Sequence, residues 1–232
     1  MNKILDHRPI ILLGDIHGDW NVIERFCKEF SEFNIIQLGD FGIGFDQNKN
    51  KESRKFENLS NCLKDSNNSL FIIRGNHDDP NYFDDRVVNE RITFLSDYSH
   101  LTQNDKNILC IGGGISIDRM LRKENVSWWK DEKFIFDLEN MRSVDVLLTH
   151  VAPNNFPISK EDTNPMIAEF AKDDPSLISE LKMEKFIVGE ASEISGCKRH
   201  YFGHYHISYT YENSNVKYRC LDINEFVELK FE

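Results

Sequence analysis

The chain has 232 residues, of which 40% are hydrophobic, and its formal net charge is -11. This length accommodates a large folded unit with a full core, so we interpret residues 1–232 as a single domain. The acidic balance argues against an extended nucleic-acid surface and against general attraction to anionic membranes. A local pocket lined by cationic groups is compatible with this acidic net charge.

Cysteine usage and hydropathy are typical of a cytoplasmic protein. The five cysteines are odd in number and widely separated, and they contain no C-x-x-C pair, which favours reduced structural thiols. The amino terminus lacks a basic stretch followed by a signal-type apolar segment, and no apolar run approaches the roughly 18 residues of a membrane span. We therefore predict a cytoplasmic protein without membrane contact.

The first half of the chain alternates short apolar runs with amphipathic stretches. The strand-type runs cover residues 9–13, 34–38 and 69–73. Between them, residues 20–33 carry apolar side chains at three- and four-residue spacing, which predicts a helix with Asp19 as its N-cap. A second, polar helix is predicted over residues 50–64. This alternation is the signature of α/β folds, whose ligands bind beyond the carboxyl ends of the strands.

The second half is predicted to consist mostly of short strands. They cover residues 92–95, 108–111, 145–148, 199–202, 207–211, 216–221 and 226–230, and the last three are predicted to be antiparallel. Residues 153–175 are rich in Pro, Asn, Asp and Lys, which predicts a long loop or a small cap. We expect substrate selection there, because a connection of this length in a compact domain is usually functional.

Five short clusters, most of them flanked by glycine, carry residues that bind metal ions. They are Gly14-Asp15-Ile16-His17-Gly18, Gly39-Asp40-Phe41-Gly42, Gly75-Asn76-His77-Asp78, Thr149-His150 and Gly203-His204-Tyr205-His206. Most of them directly follow a predicted strand, so their side chains are expected to meet at the ends of neighbouring strands. The flanking glycines suit a positive φ or a close approach of the backbone to a ligand.

This donor set predicts two divalent ions that share the carboxylate of Asp40. The other predicted ligands are Asp15, His17 and His206 for one ion, and Asn76, His150 and His204 for the second. Mixed nitrogen and oxygen donors suit Mn, our first choice, as well as Fe, Zn, Co or Ni, and they disfavour Mg and Ca. His77, next to a predicted ligand, is predicted to protonate the leaving-group oxygen.

Arginines near the clusters are candidates for phosphate binding, because a guanidinium matches two phosphate oxygens. We predict Arg74 and Arg119 as substrate contacts and rank Arg122 below them. A solvated surface position is the alternative for each. Trp128 and Trp129 are interpreted as packing residues in preference to a stacking platform for a base.

The motifs GDIHG, GDFG, GNHD, TH and GHYH, in this order over residues 10–206, resemble those of the calcineurin-like metallophosphoesterases. The resemblance implies a four-layer α/β/β/α sandwich with two mixed β-sheets and a dinuclear metal site at the strand ends. It also implies hydrolysis of a phosphomonoester, phosphodiester or pyrophosphate bond by a hydroxide that bridges the two ions. Every ligand position of the family pattern is filled in this chain.

One motif departs from the protein serine/threonine phosphatase branch of that family. The branch carries GDxVDRG, whereas this chain has Gly39-Asp40-Phe41-Gly42-Ile43-Gly44-Phe45 and lacks the second Asp and the Arg. A small phosphorylated molecule or a nucleotide is therefore the expected substrate, and a protein phosphatase is an alternative. A non-catalytic metal-binding interaction module on the same fold is another alternative, which the retained ligands and His77 disfavour.

Overall fold

The structure, a computed structural model, describes residues 2–45 and 49–231 and contains two β-sheets with helices on their outer faces. The strands are β1 (Asn2–Ile4), β2 (Ile10–Leu13), β3 (Asn34–Gln37), β4 (Ser69–Ile72), β5 (Val87–Asn89), β6 (Ile92–Phe94), β7 (Ser99–Gln103), β8 (Lys106–Ile111), β9 (Val146–Thr149), β10 (Arg199–Phe202), β11 (Tyr209–Glu212), β12 (Lys217–Cys220) and β13 (Phe226–Leu229). The helices are α1 (Asn21–Glu29), α2 (Lys49–Asp65), α3 (Lys160–Thr163), α4 (Ile167–Asp173) and α5 (Leu177–Ser195).

Both sheets are mixed, as the family resemblance implied. The six-stranded sheet has the order β13-β2-β3-β4-β6-β5, in which β2, β3, β4 and β6 are parallel and the two edge strands are antiparallel to their neighbours. The seven-stranded sheet has the order β1-β7-β8-β9-β10-β12-β11, with parallel pairing from β8 through β9 and β10 to β12.

Alternate residues of the central strands point into different cores. Ile36 of β3 and Leu148 of β9 lie in the core between the two sheets. Ile35 points the other way and packs in a core with residues of α1 and α2, while Leu147 packs in a core with Val188 of α5. Strands buried on both faces are continuous apolar runs in the sequence, which is why β2, β3 and β4 were predictable. The layers are helix, sheet, sheet and helix.

Two predicted details near the ends of the chain are wrong. Asp19 does not cap α1: the N-cap residue is Trp20, and an Asp19 carboxylate oxygen instead accepts a hydrogen bond from the Asn21 side chain at 2.9 Å. The last strand, β13, pairs with β2 in the six-stranded sheet instead of joining β11 and β12 in the seven-stranded sheet. Its partly buried Val227 packs against the core between the sheets, so burial of that apolar face decides its place.

The longest helix, α5, lies where no helix was predicted. Leu181 and Val188 are buried, but Met183, Phe186 and Ile194 are exposed on the same helix. Apolar side chains around most of the circumference leave no single apolar stripe, and that stripe is the pattern by which an amphipathic helix is recognised.

All five cysteines are free thiols. Among the residues that the structure describes, no helix combines the length and the apolar character that crossing a membrane requires.

Candidate metal centre

The first three ligand clusters follow three adjacent parallel strands. Leu13 pairs with Gln37 and Gln37 pairs with Ile72, so β2, β3 and β4 end at the same level. The chain continues from these ends into the clusters that contain Asp15, Asp40 and Asn76. The remaining two clusters follow β9 and β10, which are parallel neighbours in the other sheet. Both sheets therefore deliver side chains to one edge of the sandwich.

The ligand loops use backbone conformations that side chains rarely adopt. The φ angles are positive at four predicted ligands: His17 (45°), Asp40 (59°), His204 (66°) and His206 (53°). Gly75 permits close packing, because a Cβ there would overlap the backbone nitrogen and the carboxylate of Asp40. Such strain persists where surrounding structure imposes it, and it concentrates at functional sites.

The first group of donors consists of Asp15, His17, Asp40 and His206, whose ligand atoms all lie within 4.8 Å of one another. His206 Nε2 is 3.1 Å from Asp15 Oδ2, and His17 Nδ1 is 3.7 Å from Asp40 Oδ2. Both carboxylates are buried, whereas both imidazoles are exposed. This group therefore faces the solvent-accessible side of the centre.

The second group consists of Asp40, His150 and His204, and all three are buried. His150 Nε2 lies 3.2 Å from Asp40 Oδ1, 3.2 Å from Asn76 Oδ1 and 3.2 Å from His204 Nδ1. His150 Nδ1 lies 2.8 Å from the Leu38 carbonyl oxygen, so Nδ1 carries the proton and Nε2 is left to bind metal. Asp40 belongs to both groups, as a bridging carboxylate would.

The charges in this group show that the donor set fits divalent cations. Burial opposes charge on both groups, yet Asp40 raises the pKa of His150 to about 9. In turn the charge and the hydrogen bond of His150 outweigh burial and hold the pKa of Asp40 well below its usual range. The centre thus favours positive charge between its ligands, which a bound cation supplies.

His77 lies beside these ligands, with its backbone N–H donating to Asp40 Oδ1 at 2.8 Å. The Arg122 guanidinium is 2.8 Å from its Nε2, and Asp118 holds Arg122 through a 2.7 Å ion pair. Phe45 stacks on the imidazole at 5.6 Å between ring centroids. Burial, together with Arg122 and despite Asp40, lowers the pKa of His77 to about 4. Since Arg122 is a donor, His77 is neutral here and its proton is on Nδ1.

The two arginines that we predicted as substrate contacts are placed elsewhere. Arg74 is buried, pairs with Asp97 at 2.8 Å and donates to the carbonyl oxygens of residues 131–133. Arg119 is held by Asp174 and Glu180, at 2.5 and 2.9 Å. Their guanidiniums are already used by the protein, so the structure does not bring Arg74 or Arg119 to the metal centre. The lower-ranked Arg122 lies there instead.

Several supporting residues have roles that sequence reasoning missed. Buried Asp78 accepts hydrogen bonds from the backbone N–H groups of residues 41, 42, 43 and 75, which joins the loops after β3 and β4. Ser116 accepts from the Asn76 amide at 3.2 Å and donates to Glu132 at 2.7 Å, which directs Asn76 Oδ1 to the centre. Asp78 was visible in the GNHD motif, but nothing local links Ser116 and Glu132 to Asn76.

A cleft of about 290 Å³ opens over the donors, and we call it the metal cleft. Its floor is formed by Asp40, Asn76, His77, His204 and His206, and its walls by Ile115, Ile117, Asp118, Arg122, Lys160, Asn164, Met166 and Phe170. The last four of these belong to the segment 153–175, which contains α3 and α4. The segment expected to select substrate thus forms one wall of the metal cleft.

Comparison with known proteins adds a family match. The family model of the calcineurin-like phosphoesterases matches residues 8–208. A search of curated protein sequences finds no match.

Among solved structures, the chain is similar to a Staphylococcus aureus protein assigned as a 5'-nucleotidase, in complex with alpha-ketoglutarate (14% identity, TM-score 0.49, 97% of this chain and 51% of that one). It is also similar to phosphopantetheinyl hydrolase (PptH) from Mycobacterium tuberculosis (10% identity, TM-score 0.45, 93% and 90%). A third similar structure is GAP50, the anchor in the inner membrane complex of Plasmodium (10% identity, TM-score 0.44, 94% and 72%). The chain spans about half the length of the first of these proteins.

Proposed function

The chain belongs to the calcineurin-like phosphoesterase family, and from this premise we propose that it is a metal-dependent hydrolase of phosphate esters. The observation that carries the proposal is that two groups of donors share Asp40. The predicted ligands around Asp40 would hold two divalent cations, with Mn our first choice, and these would supply polarisation of the phosphoryl group and activation of water. The side chains of the metal cleft bind the phosphate and donate a proton to the leaving group.

Arg122 is the phosphate contact in this proposal, in place of Arg74 and Arg119. Its guanidinium lies in the wall of the metal cleft and donates to an uncharged imidazole nitrogen of His77. A phosphate oxygen is a stronger acceptor for a guanidinium than a neutral imidazole is. We expect the Arg122 guanidinium to give up its hydrogen bond to His77 and to donate to the substrate phosphate instead. Its ion pair with Asp118 is kept and holds it in the cleft wall.

His77 is the general acid in this proposal. Without substrate, burial and the adjacent Arg122 guanidinium keep the pKa of the His77 imidazole at about 4. Transfer of Arg122 to the phosphate frees Nε2 and adds negative charge nearby, and both changes favour protonation of the imidazole. The protonated ring then donates its Nε2 proton to the leaving oxygen as the P–O bond breaks.

A small phosphoester or a nucleotide is the proposed substrate. The metal cleft, at about 290 Å³, has the size of a small-molecule site. The chain also lacks the Asp and Arg of the protein phosphatase motif, and its net charge of -11 disfavours a long polyanion. The proposal leaves open whether the bond is a monoester, a diester or an anhydride.

The test combines metal analysis with turnover. The protein, purified with added Mn, is assayed on nitrophenyl phosphate, bis-nitrophenyl phosphate, cyclic nucleotides and dinucleoside polyphosphates. We expect two bound ions per chain and hydrolysis of at least one of these substrates. His77→Ala should lower kcat by about 10²- to 10⁴-fold with the metal content unchanged, whereas the matched control His7→Ala, at an exposed position, should not.

Two results would contradict this proposal. Two bound ions without any hydrolysis would favour the interaction module. Full activity of folded His77→Ala would refute its role as the general acid.

A further inference from the structure

Lys160 is a buried lysine in the wall of the metal cleft. The residue is 7% exposed, and its Nζ donates to the backbone carbonyl oxygen of His204. Within residues 2–45 and 49–231 it forms no ion pair with a carboxylate at the distances of a salt bridge. The carboxylates of Asp15, Asp40 and Glu184 act on this buried ammonium only from beyond that distance. An anion bound in the cleft would offset the remaining cost of burying its charge.

The position of Lys160 is held from both ends of its side chain. At the backbone end, the Ser159 side chain accepts from Asp162 N, and the Asp162 carboxylate accepts from Ser159 N at 2.7 Å, which is a capping box. At the other end, Nζ lies 5.5 Å from the centroid of the Tyr205 ring. The ammonium is therefore pre-positioned, which reduces the entropy lost when a ligand binds.

Lys185 shows what a purely structural lysine looks like in the same region. Its Nζ lies 6.0 Å from the same Tyr205 ring and donates to two carbonyl oxygens, those of Phe156 (3.1 Å) and Ile158 (2.9 Å). Lys185 does not line the metal cleft. Lys160 has a single such acceptor among the described residues, so two of the three ammonium donors are left for a ligand.

The two cations of the metal cleft contact different parts of the centre. Arg122 contacts His77, the proposed general acid, whereas Lys160 contacts His204, a predicted metal ligand. In the proposed function Arg122 binds the scissile phosphate at the metal centre, so Lys160 is available to a second anionic group. Met166 and Phe170 continue the same wall and offer apolar surface next to Lys160.

We infer that Lys160 is a specificity-determining residue that binds the second phosphate of a phosphoanhydride substrate in the metal cleft, which it lines together with the apolar side chains of Met166 and Phe170. This inference rests on the proposed function and names its substrate class: a nucleoside phosphoanhydride, such as a nucleoside diphosphate or a dinucleoside polyphosphate. Water adds to the scissile phosphorus, the bridging oxygen leaves with the bonding electrons and takes a proton, and Lys160 remains paired with the departing phosphate. Water is the only co-reactant.

The experiment compares Lys160→Met with Lys185→Met, both in the full chain with added Mn. For a dinucleoside polyphosphate, Lys160→Met should lower kcat/KM by about 10- to 100-fold, mainly through KM, because a charge-assisted hydrogen bond is lost. For bis-nitrophenyl phosphate, which has no second phosphate, the loss should stay below about threefold. Lys185→Met should lower the melting temperature and affect both substrates equally. Lys160→Arg should restore part of the preference, and it also serves if the methionine variant does not fold.

Calorimetric binding separates this inference from the proposed function. ADP should bind the wild type more tightly than AMP, and Lys160→Met should remove about tenfold of that preference. If no substrate is hydrolysed but ADP binding depends on Lys160, the proposed function fails and the second-phosphate site stands. If wild type binds ADP no better than AMP, or Lys160→Met weakens ligands with and without a second phosphate equally, the inference is overturned.

Discussion

The ligand loops and the walls of the metal cleft are built in different ways. Each loop directly follows a strand, and the register of parallel neighbours sets where its side chains emerge. The walls, residues 115–133 and 159–170, consist of irregular chain and short helices, among them α3 and the start of α4, and they are tied to the rest of the chain by ion pairs such as those of Arg119. The register of neighbouring strands therefore positions the predicted metal ligands. Contacts between residues far apart in the sequence position the side chains of the cleft walls.

Replacement of the shared ligand is expected to have the largest effect. Asp40→Asn keeps the size of the side chain but removes the negative charge between the two donor groups. We expect kcat to fall by at least about 10³-fold and the metal content to drop below two ions per chain, because cation binding depends on that charge. Asp105→Asn, at an exposed turn, is the matched control. A folded, fully active Asp40→Asn variant would show that the ligand loops do not define the centre.

The wall is tested by two arginines that lie three residues apart. Arg122→Met should lower kcat/KM by about 10- to 100-fold, because a phosphate contact and a neighbour of His77 are lost together. Arg119→Met should mainly lower the free energy of unfolding, by about 3 kcal/mol, since Asp174 loses its ion-pair partner and Glu180 keeps only Lys133. Steady-state kinetics and urea unfolding distinguish the two. A larger kinetic loss in folded Arg119→Met would restore the original prediction for Arg119.

The smallest effect on activity is expected at His200, which lies in the strand that supports one ligand loop. It is fully buried, its Nε2 lies 2.8 Å from Thr149 Oγ1, and burial lowers its pKa to about 3. Below about pH 6.5 the unfolded chain binds a proton here and the folded chain does not. Stability is therefore lost as pH falls, at about 1.4 kcal/mol per unit.

His200→Phe should remove this acid sensitivity. Between about pH 7.5 and about pH 5, we expect the free energy of unfolding of the wild type to fall by about 2 kcal/mol more than that of the variant. Denaturant unfolding at the two pH values measures it, and kcat at neutral pH should stay within about twofold. Identical pH dependence in the two proteins would mean that His200 has the same pKa in the folded and the unfolded chain.

Much of the fold was predictable because its central strands are buried on both faces. The runs that became β2, β3, β4 and β9 are short, mostly apolar and followed at once by polar clusters, so the sequence indicated both that they are strands and which end of each carries ligands. The more polar β10 was recognised by the Gly203-His204 cluster that follows it. The helix α5 and the pairing of β13 were not predictable. The helix lacks a single apolar stripe, and the partner of β13 depends on which sheet has an unpaired edge strand.

The sequence alone was enough to predict which side chains meet at the strand ends, because seven predicted ligands in five short clusters need only strand ends at a common level to come together. Only the tertiary structure decided which cationic side chains line the metal cleft. Arg119 and Arg122 are nearly equivalent in local sequence, and carboxylates more than fifty residues away withdraw Arg119 from the cleft. Lys160 reaches the same cleft because His204, 44 residues later, provides its acceptor. Pairings over such separations depend on the packed fold, and no local pattern records them.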